Sequence, residues 1–189
     1  MIFGKEGQNV SETEHFTGKL LLHICCGPCS LYCIDDLRAT YPGIEIVGLY
    51  ANPNIHPLEE FCRRKENAQL ACDYKQIPLE FLPDFDQKRW EAYERDDPKR
   101  CEMCYRVRME MTAAYAKEHG YQGFTSTLFV SPYQNHPLME AVCCEMAEKY
   151  GVQFVHRDFR PGFRLGQKEA RDIGLYRQKY CGCIRSLPE

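Results

Sequence analysis

The chain has 189 residues, enough for one domain with a hydrophobic core and too few for two domains of ordinary size. Hydrophobic residues make up 44% and charged residues 27% of the sequence, which excludes a disordered or fibrous protein. The net charge is −3, and no apolar run approaches the roughly 20 residues that cross a bilayer. Because residues 1–19 also lack the pattern of a secretion signal, we expect a cytoplasmic protein without membrane contact.

Strand and helix patterns alternate along the chain from residue 19 onward. Short apolar runs predict five strands, over residues 19–24, 44–50, 74–79, 123–130 and 152–156. Apolar residues at helical spacing predict a helix capped by Ser30 and further helices over residues 58–72, 85–93, 100–120 and 137–150. This alternation predicts an α/β fold with an open, mainly parallel sheet and helices on both faces. We assign residues 19–189 to this single domain and residues 1–18 to a variable, mobile segment.

Seven of the twelve cysteines fall into three tight groups. The first group follows the first strand directly, at the edge where open α/β sheets bind ligands. The second places two thiols at i and i+3 near a helix start, where the helix dipole favours thiolates. The third encloses a glycine, which lets the backbone fold around a shared centre. The groups are Cys25, Cys26 and Cys29, then Cys101 and Cys104, then Cys181 and Cys183.

Metal binding explains these thiols best, because structural disulfides do not persist in a reducing compartment. If the groups converge, seven thiolates exceed the four that a structural zinc ion uses. Four thiolates suffice for an iron–sulfur cube and leave three over. Structural zinc and thioredoxin-like redox chemistry are the alternatives. The other cysteines lie in helical patterns and are interpreted as small core residues; they are Cys33, Cys62, Cys72, Cys143 and Cys144.

Charge is distributed unevenly along the chain. Residues 1–98 carry a net charge of −7, whereas residues 99–189 carry +4. Between residues 157 and 185, eight basic residues stand against three acidic ones, with aromatic residues among them. This C-terminal segment is the part of the chain that suits contact with a phosphate backbone.

Five motifs, in this order, resemble those of the epoxyqueuosine reductase QueH family. The resemblance extends from about Leu20 to Ser186, which is nearly the whole chain. The motifs are H-x-C-C-G-P-C at 23–29, N-P-N-I-H-P-x-x-E at 52–60 with Arg63 and Arg64, C-E-M-C-Y-R-x-R at 101–108, T-S-T-L-x-x-S-P-Y-Q-N-H at 125–136, and G-L-Y-R-Q-x-Y-C-G-C at 174–183.

The resemblance implies an oxidoreductase of tRNA processing that catalyses the last step of queuosine biosynthesis. The reaction is the two-electron deoxygenation of epoxyqueuosine to queuosine at the wobble position of a tRNA with a GUN anticodon. The family is similar to PP-loop/HUP-type domains in architecture. Here residues 25–30 (CCGPCS) replace the Gly- and Ser-rich phosphate loop, so the same strand-to-helix position is expected to hold metal instead of a nucleotide.

The resemblance also implies the cofactors, a 4Fe-4S cluster and an additional mononuclear iron, with an external electron donor and no cobalamin. We assign all seven grouped cysteines to metal and leave their division between the two centres open. Our hypothesis is that the extra iron acts as a Lewis acid on the epoxide oxygen while the cluster delivers electrons one at a time.

The remaining candidate residues lie within or beside these motifs. The proton donor is unknown, and the candidates are Tyr105, Tyr133, His56 and His136. We expect RNA contacts from Arg106, Arg108, Arg177, Lys179, Arg185 and Tyr176. His23 alternates inside a strand and is interpreted as structural. Two alternative functions are a PP-loop-type tRNA sulfur-transfer enzyme, disfavoured by the missing phosphate loop, and a zinc-bound RNA-binding module.

Overall fold

Five parallel strands form the sheet of the computed structural model, which describes residues 16–83, 85–86 and 88–187. The strand order is β3-β2-β1-β4-β5. In the central strand, Leu21 lies opposite Val47 on one side and Phe124 on the other. The strands are β1 (Lys19–His23), β2 (Glu45–Tyr50), β3 (Leu79–Phe81), β4 (Gly123–Ser126) and β5 (Gln153–Phe154).

Helices cover both faces of this sheet, as the sequence predicted. The connections between parallel strands are right-handed, and the order in which strands are added to the sheet reverses at β1. Helices α1 and α2 therefore lie on one face of the sheet, and helices α4 and α5 lie on the other. None of the helices described is both long and apolar enough to span a membrane. The helices are α1 (Gly27–Thr40), α2 (Leu58–Lys75), α3 (Lys88–Glu91), α4 (Pro98–Glu118), α5 (His136–Tyr150) and α6 (Phe163–Asp172).

The core lies between the sheet and its two helical layers. Leu20, Leu21 and Leu22 of β1 are all fully buried, as expected for a strand covered on both faces. Phe16 is also buried, and its ring packs edge-on against Tyr41. Residues 1–15, most of the segment that we expect to be mobile, lie outside the described residues.

The first helix begins four residues earlier than predicted, with its N-cap at Cys26 instead of Ser30. Ser30 does not cap it, because α1 starts at Gly27 and the Ser30 hydroxyl donates a hydrogen bond to the Gly27 carbonyl inside the first turn. Gly27 permits a close approach to α2, since a Cβ there would lie 2.4 Å from the Asn67 carbonyl oxygen. The earlier start places Cys26 at the N-cap and Cys29 in the first turn.

Four further elements differ from the sequence predictions. The third strand is β3 instead of residues 74–79, because α2 continues to Lys75. The predicted strand 123–130 ends at Ser126, where the chain turns into a short 3-10 helix, Thr127–Val130. Among the described residues of the range 85–93, only those of α3 are helical. Helix α6 was not predicted, and it packs on α1.

Candidate metal centre

The first cysteine group lies at the point where the sheet's strand order reverses. Cys25, Cys26 and Cys29 follow β1, and Thr127 follows the neighbouring β4 at the same carboxyl edge. Open α/β sheets bind their ligands at this position. The three sulfur atoms all lie within 4.8 Å of one another, with 3.8 Å between those of Cys25 and Cys26. They are close enough to share one metal ion.

Hydrogen bonds favour a negative charge on Cys25 within this group. Bonds from Cys26 and Cys29 hold the pKa of Cys25 well below its usual range, and the charge of Arg108 acts in the same direction. The Thr127 hydroxyl donates to the Cys25 sulfur at 3.2 Å, while its oxygen accepts the Cys25 backbone N–H at 3.0 Å. Burial raises the pKa of Cys26. Thiolates are the form of cysteine that binds metals, so the lowered pKa of Cys25 favours the state in which it can act as a metal ligand.

Gln178 also contacts this group, and its role was not predicted. Its Nε2 lies 2.9 Å from the Cys26 sulfur and 3.8 Å from the Cys29 sulfur. Gln178 stands in the C-terminal motif, three residues before Cys181, so it links the first and third cysteine groups. The contacts of Gln178 with these thiols could not be predicted from the sequence, because Cys26 and Cys29 lie near the other end of the chain.

The second and third groups share a separate cavity of about 180 Å³. Cys104 and Cys183 are buried beside Trp90, whereas Cys101 and Cys181 are exposed as whole residues although they line the same cavity. Burial of the sulfur atom raises the pKa of Cys181 to about 12, and burial also raises the pKa of Cys104. These thiols are therefore neutral until a metal ion displaces their protons.

The third group is carried on a hook, which we define as residues 180–183. Gly182 at its turn has φ of +117°, a conformation that favours glycine, as the sequence predicted for this position. A Cβ there would also lie 2.9 Å from Arg64 Nη1. The His56 backbone N–H donates to the Gly182 carbonyl at 2.7 Å, and the Tyr180 hydroxyl donates to the His56 carbonyl. The hook is thus fastened to the loop that follows β2.

Arg64 of α2 also holds the hook in place, through hydrogen bonds to its backbone. Its Nη1 donates to the Cys181 carbonyl and its Nη2 to the Tyr180 carbonyl, both at 3.0 Å. Its Nε donates to Glu60 Oε1 at 2.7 Å, and both side chains are buried. The sequence motif contains Arg64, yet only the i, i+4 spacing from Glu60 signals the pair.

Arg108 lies between the first cysteine group and the other two, and it lines a cavity on each side. Burial disfavours its charge, but the nearby thiols Cys104, Cys25 and Cys181 raise the pKa of Arg108. Its Nη2 donates to Asn52 Oδ1 at 2.6 Å. Arg108 and Cys181 line both the four-cysteine cavity and a second cavity of about 320 Å³ that contains Cys25 and Cys29. Arg108 was predicted to contact RNA; the structure instead buries it among the thiols.

His23 has the structural role expected of it. Its Nδ1 lies 2.9 Å from the Ser126 Oγ and its Nε2 lies 3.2 Å from the Ala51 carbonyl oxygen, so Nε2 carries the proton. Burial lowers the pKa of His23 to about 3, which keeps the ring neutral. Among the cysteines predicted to be core residues, Cys33, Cys72 and Cys143 are buried, whereas Cys62 and Cys144 are exposed.

The four candidate proton donors occupy different places. Tyr105 is buried in the wall of the four-cysteine cavity, where its hydroxyl donates to Gln134 Oε1 at 2.8 Å and burial raises its pKa to about 12. Tyr133 is 83% exposed and stands at the mouth of both cavities. His136 bonds the Ser131 carbonyl through Nε2 at 2.9 Å. Within the described part of the chain, neither His56 nor His136 lines these cavities.

The candidate RNA contacts are also dispersed. Arg177 and Lys179 are exposed on the segment leading into the hook, and Lys179 lines the 320 Å³ cavity. The Tyr176 hydroxyl donates to Glu60, and its ring lies under the Arg63 guanidinium. Arg106 pairs with Glu102 at 3.2 Å and Glu145 at 2.6 Å, whereas Arg185 donates to the Glu91 carbonyl.

Comparison with known proteins identifies related sequences over the same region. The family model described as "Epoxyqueuosine reductase QueH" matches residues 20–189. The curated "Epoxyqueuosine reductase QueH" of Thermotoga maritima is 32% identical over 182 residues, covering 91% of this chain and 92% of the relative. That of Dehalococcoides mccartyi is 34% identical over 175 residues, covering 89% of this chain and 92% of the relative.

A solved structure with the same fold is that of a predicted subunit of tRNA methyltransferase from Methanocaldococcus jannaschii. The TM-score is 0.50 at 11% sequence identity, with 82% of this chain and 75% of the other covered. At this identity the likeness concerns the fold alone. It supports the expected PP-loop/HUP-like architecture, in which the cysteine groups occupy the carboxyl edge of the sheet.

Proposed function

This chain belongs to the epoxyqueuosine reductase QueH family, and from this premise we propose that it reduces epoxyqueuosine to queuosine in tRNA. In this reaction the epoxide accepts two electrons and two protons, both carbon–oxygen bonds break, and an alkene and one water molecule are formed. An external one-electron donor supplies the electrons. The gathering of seven thiols at one edge of the sheet carries the proposal, together with the family membership. We place the enzyme in the cytoplasm with its tRNA.

We further propose a division of the seven thiols between two metal centres. Four thiols around one cavity match the ligand set of a 4Fe-4S cluster, and they are Cys101, Cys104, Cys181 and Cys183. The closely spaced sulfurs of Cys25, Cys26 and Cys29 match a single iron ion. When bound, these groups would supply one-electron transfer and a Lewis acid for the epoxide oxygen.

The protein's own groups prepare both compartments for anionic centres. The amide of Gln178 and the hydroxyl of Thr127 donate to sulfur atoms of the first group, which stabilises thiolates. The buried charge of Arg108 lies near thiols of both groups and offsets the negative charge that they acquire together. The 320 Å³ cavity beside Cys25 and Cys29 is the space available for the epoxide-bearing ring.

We propose that Tyr133 contacts a base, although the sequence placed it among the proton donors. Its ring is 83% exposed and packs edge-on against Phe163 at the mouth of the cavity. An aromatic ring held in this way suits stacking on an unpaired base of the anticodon loop. Proton transfer to the reacting oxygen requires a group inside the cavity, within hydrogen-bond reach of that oxygen.

The proposed activity is tested with tRNA that carries epoxyqueuosine. The protein is purified without oxygen and reconstituted with iron and sulfide. It is then mixed with this tRNA and a low-potential reductant, the tRNA is digested, and the masses of the released nucleosides are measured by mass spectrometry. We expect a product lighter by one oxygen atom. An unchanged nucleoside with fully loaded protein would contradict the proposal, and turnover that requires ATP would favour a PP-loop-type sulfur-transfer enzyme.

Binding of the tRNA is expected to weaken steeply with added salt, because exposed cations near the hook contact phosphates. Arg177→Ala should weaken binding and lower the slope of log affinity against log salt by about one. Lys117→Ala is the matched control, since Lys117 is exposed near the end of α4, at the opposite edge of the sheet. Filter binding over a salt series measures both. Equal slopes for wild type and Arg177→Ala would contradict a phosphate contact there.

A further inference from the structure

The loop after β2 carries two buried asparagines that differ in their hydrogen bonds. Asn52 is fully engaged, since its Nδ2 donates to the Ile24 carbonyl at 2.8 Å and its Oδ1 accepts from Arg108 at 2.6 Å. Asn54 is only 1% exposed. Among the residues that the structure describes, neither Nδ2 nor Oδ1 of Asn54 has a hydrogen-bond partner.

A buried amide without hydrogen-bond partners destabilises the fold, because it has lost its hydrogen bonds to water and gained none in return. Most buried polar groups in proteins therefore have partners, and an exception calls for an explanation. Asn54 lies in the wall of the 320 Å³ cavity that also contains Cys25 and Cys29. Its place in that wall indicates that the missing partner is the molecule that fills the cavity.

Three other polar side chains of this wall have protein partners, although Nε of Arg108 has none among the described residues. Arg64 binds the hook and Glu60, Arg108 binds Asn52, and Gln178 donates to Cys26. Asn54 thus has a donor and an acceptor side by side that the fold itself does not use. This pair matches a vicinal diol, in which one hydroxyl donates to Oδ1 and the other accepts from Nδ2.

We propose that Asn54 binds the hydroxyl-bearing five-membered ring of the modified base and so holds its epoxide beside Cys25 and Cys29. This inference rests on the proposed function, because epoxyqueuosine carries two neighbouring hydroxyls on the ring that bears the epoxide. A ring held by its diol presents a fixed face to the thiols. Asn54 is therefore a substrate-binding residue that distinguishes the modified base from guanine.

The test is Asn54→Leu, which keeps the number and branching of the side-chain heavy atoms and removes both polar atoms. We expect the free energy of unfolding to stay the same or rise, since an unpartnered amide is lost. Affinity should fall about tenfold for tRNA carrying epoxyqueuosine and equally for tRNA carrying queuosine, because both keep the diol. Affinity for the same tRNA with guanine at that position, and the iron content, should not change.

Asn52→Leu is the matched control on the same loop. It leaves the Ile24 carbonyl and Arg108 without their partner, so its free energy of unfolding should fall. A similar fall in Asn54→Leu would overturn the inference, as would wild-type affinities for all three tRNAs. A loss confined to the epoxyqueuosine tRNA would overturn the diol assignment. Wild-type protein that is loaded with iron and does not reduce epoxyqueuosine would overturn the proposed function itself.

Discussion

Replacing Cys183 with alanine is expected to remove the proposed four-iron cluster and to lower epoxyqueuosine reduction by at least about a hundredfold, because losing a metal ligand should cost more than the roughly 10- to 100-fold that loss of an outer contact costs. Cys183 is 4% exposed and packs with Trp90 and Cys104, so no solvent-side group can replace its sulfur. The variant is measured by its visible absorption, its acid-labile sulfide and its single-turnover rate.

Cys143→Ala is the control for this prediction. Cys143 is also a fully buried thiol, but it lies in α5 within the main core. Its replacement should cost about 1 kcal/mol of stability while sulfide content and activity stay at wild-type levels. If Cys183→Ala retained its sulfide and its rate, the four-cysteine cavity would not be the cluster site.

Replacing Arg64 with alanine should have the largest effect on stability. It leaves Glu60 buried without its cation and releases two carbonyl groups of the hook. Breaking a buried ion pair on one side costs about 3–5 kcal/mol, which urea unfolding measures. Because Cys181 and Cys183 are carried on the hook, the variant should also lose its iron.

Two further variants separate the effect of the hydrogen bonds between Arg64 and the hook from the effect of a positive charge beside Glu60. Arg63→Ala removes the adjacent arginine, whose side chain is 55% exposed and lies 3.9 Å from Glu60, and it should cost about 0–1 kcal/mol. Arg64→Lys keeps a positive charge beside Glu60 but cannot bond both carbonyls of the hook, so it should fold and still lose iron. Arg64→Lys with full iron content would show that the hook does not depend on the guanidinium.

The first two cysteine groups could be placed at one edge of the sheet from the predicted topology, whereas the position of the third group depends on contacts of the hook with α2 and with the loop after β2. Cys25 follows a strand, and parallel strands end at one edge where ligands collect. Cys101 and Cys104 begin the helix that precedes β4, so they also lie near that edge. The glycine between Cys181 and Cys183 signalled the turn of the hook.

The errors in secondary structure come from contacts that are distant in sequence. Residues 74–79 have the pattern of a strand, yet Lys75 stays helical and its ammonium bonds Asp35 of α1 and Glu169 of α6, each at 2.6 Å. Helix α6 was not predicted because half of its residues are charged and only two are buried, Gly166 and Ala170. Both features depend on packing against α1.

The polar residues of the site could not be predicted from the sequence for a related reason. Gln178, Asn54 and Arg64 are common surface residue types, and their roles depend on partners more than 100 residues away or on a cavity wall. Arg108 shows the opposite error. A basic residue in a charged helix suggests an RNA contact, and only the fold shows that it is buried among thiols.

The proposed division of thiols is tested most directly by counting iron and acid-labile sulfide per chain after reconstitution without oxygen. Wild-type protein should hold about five irons and about four sulfides. Cys26→Ala should lose about one iron and keep its sulfide, whereas Cys104→Ala should lose the sulfide and about four irons. Equal losses in the two variants, or zinc in place of iron in the wild type, would contradict two iron centres at this edge of the sheet.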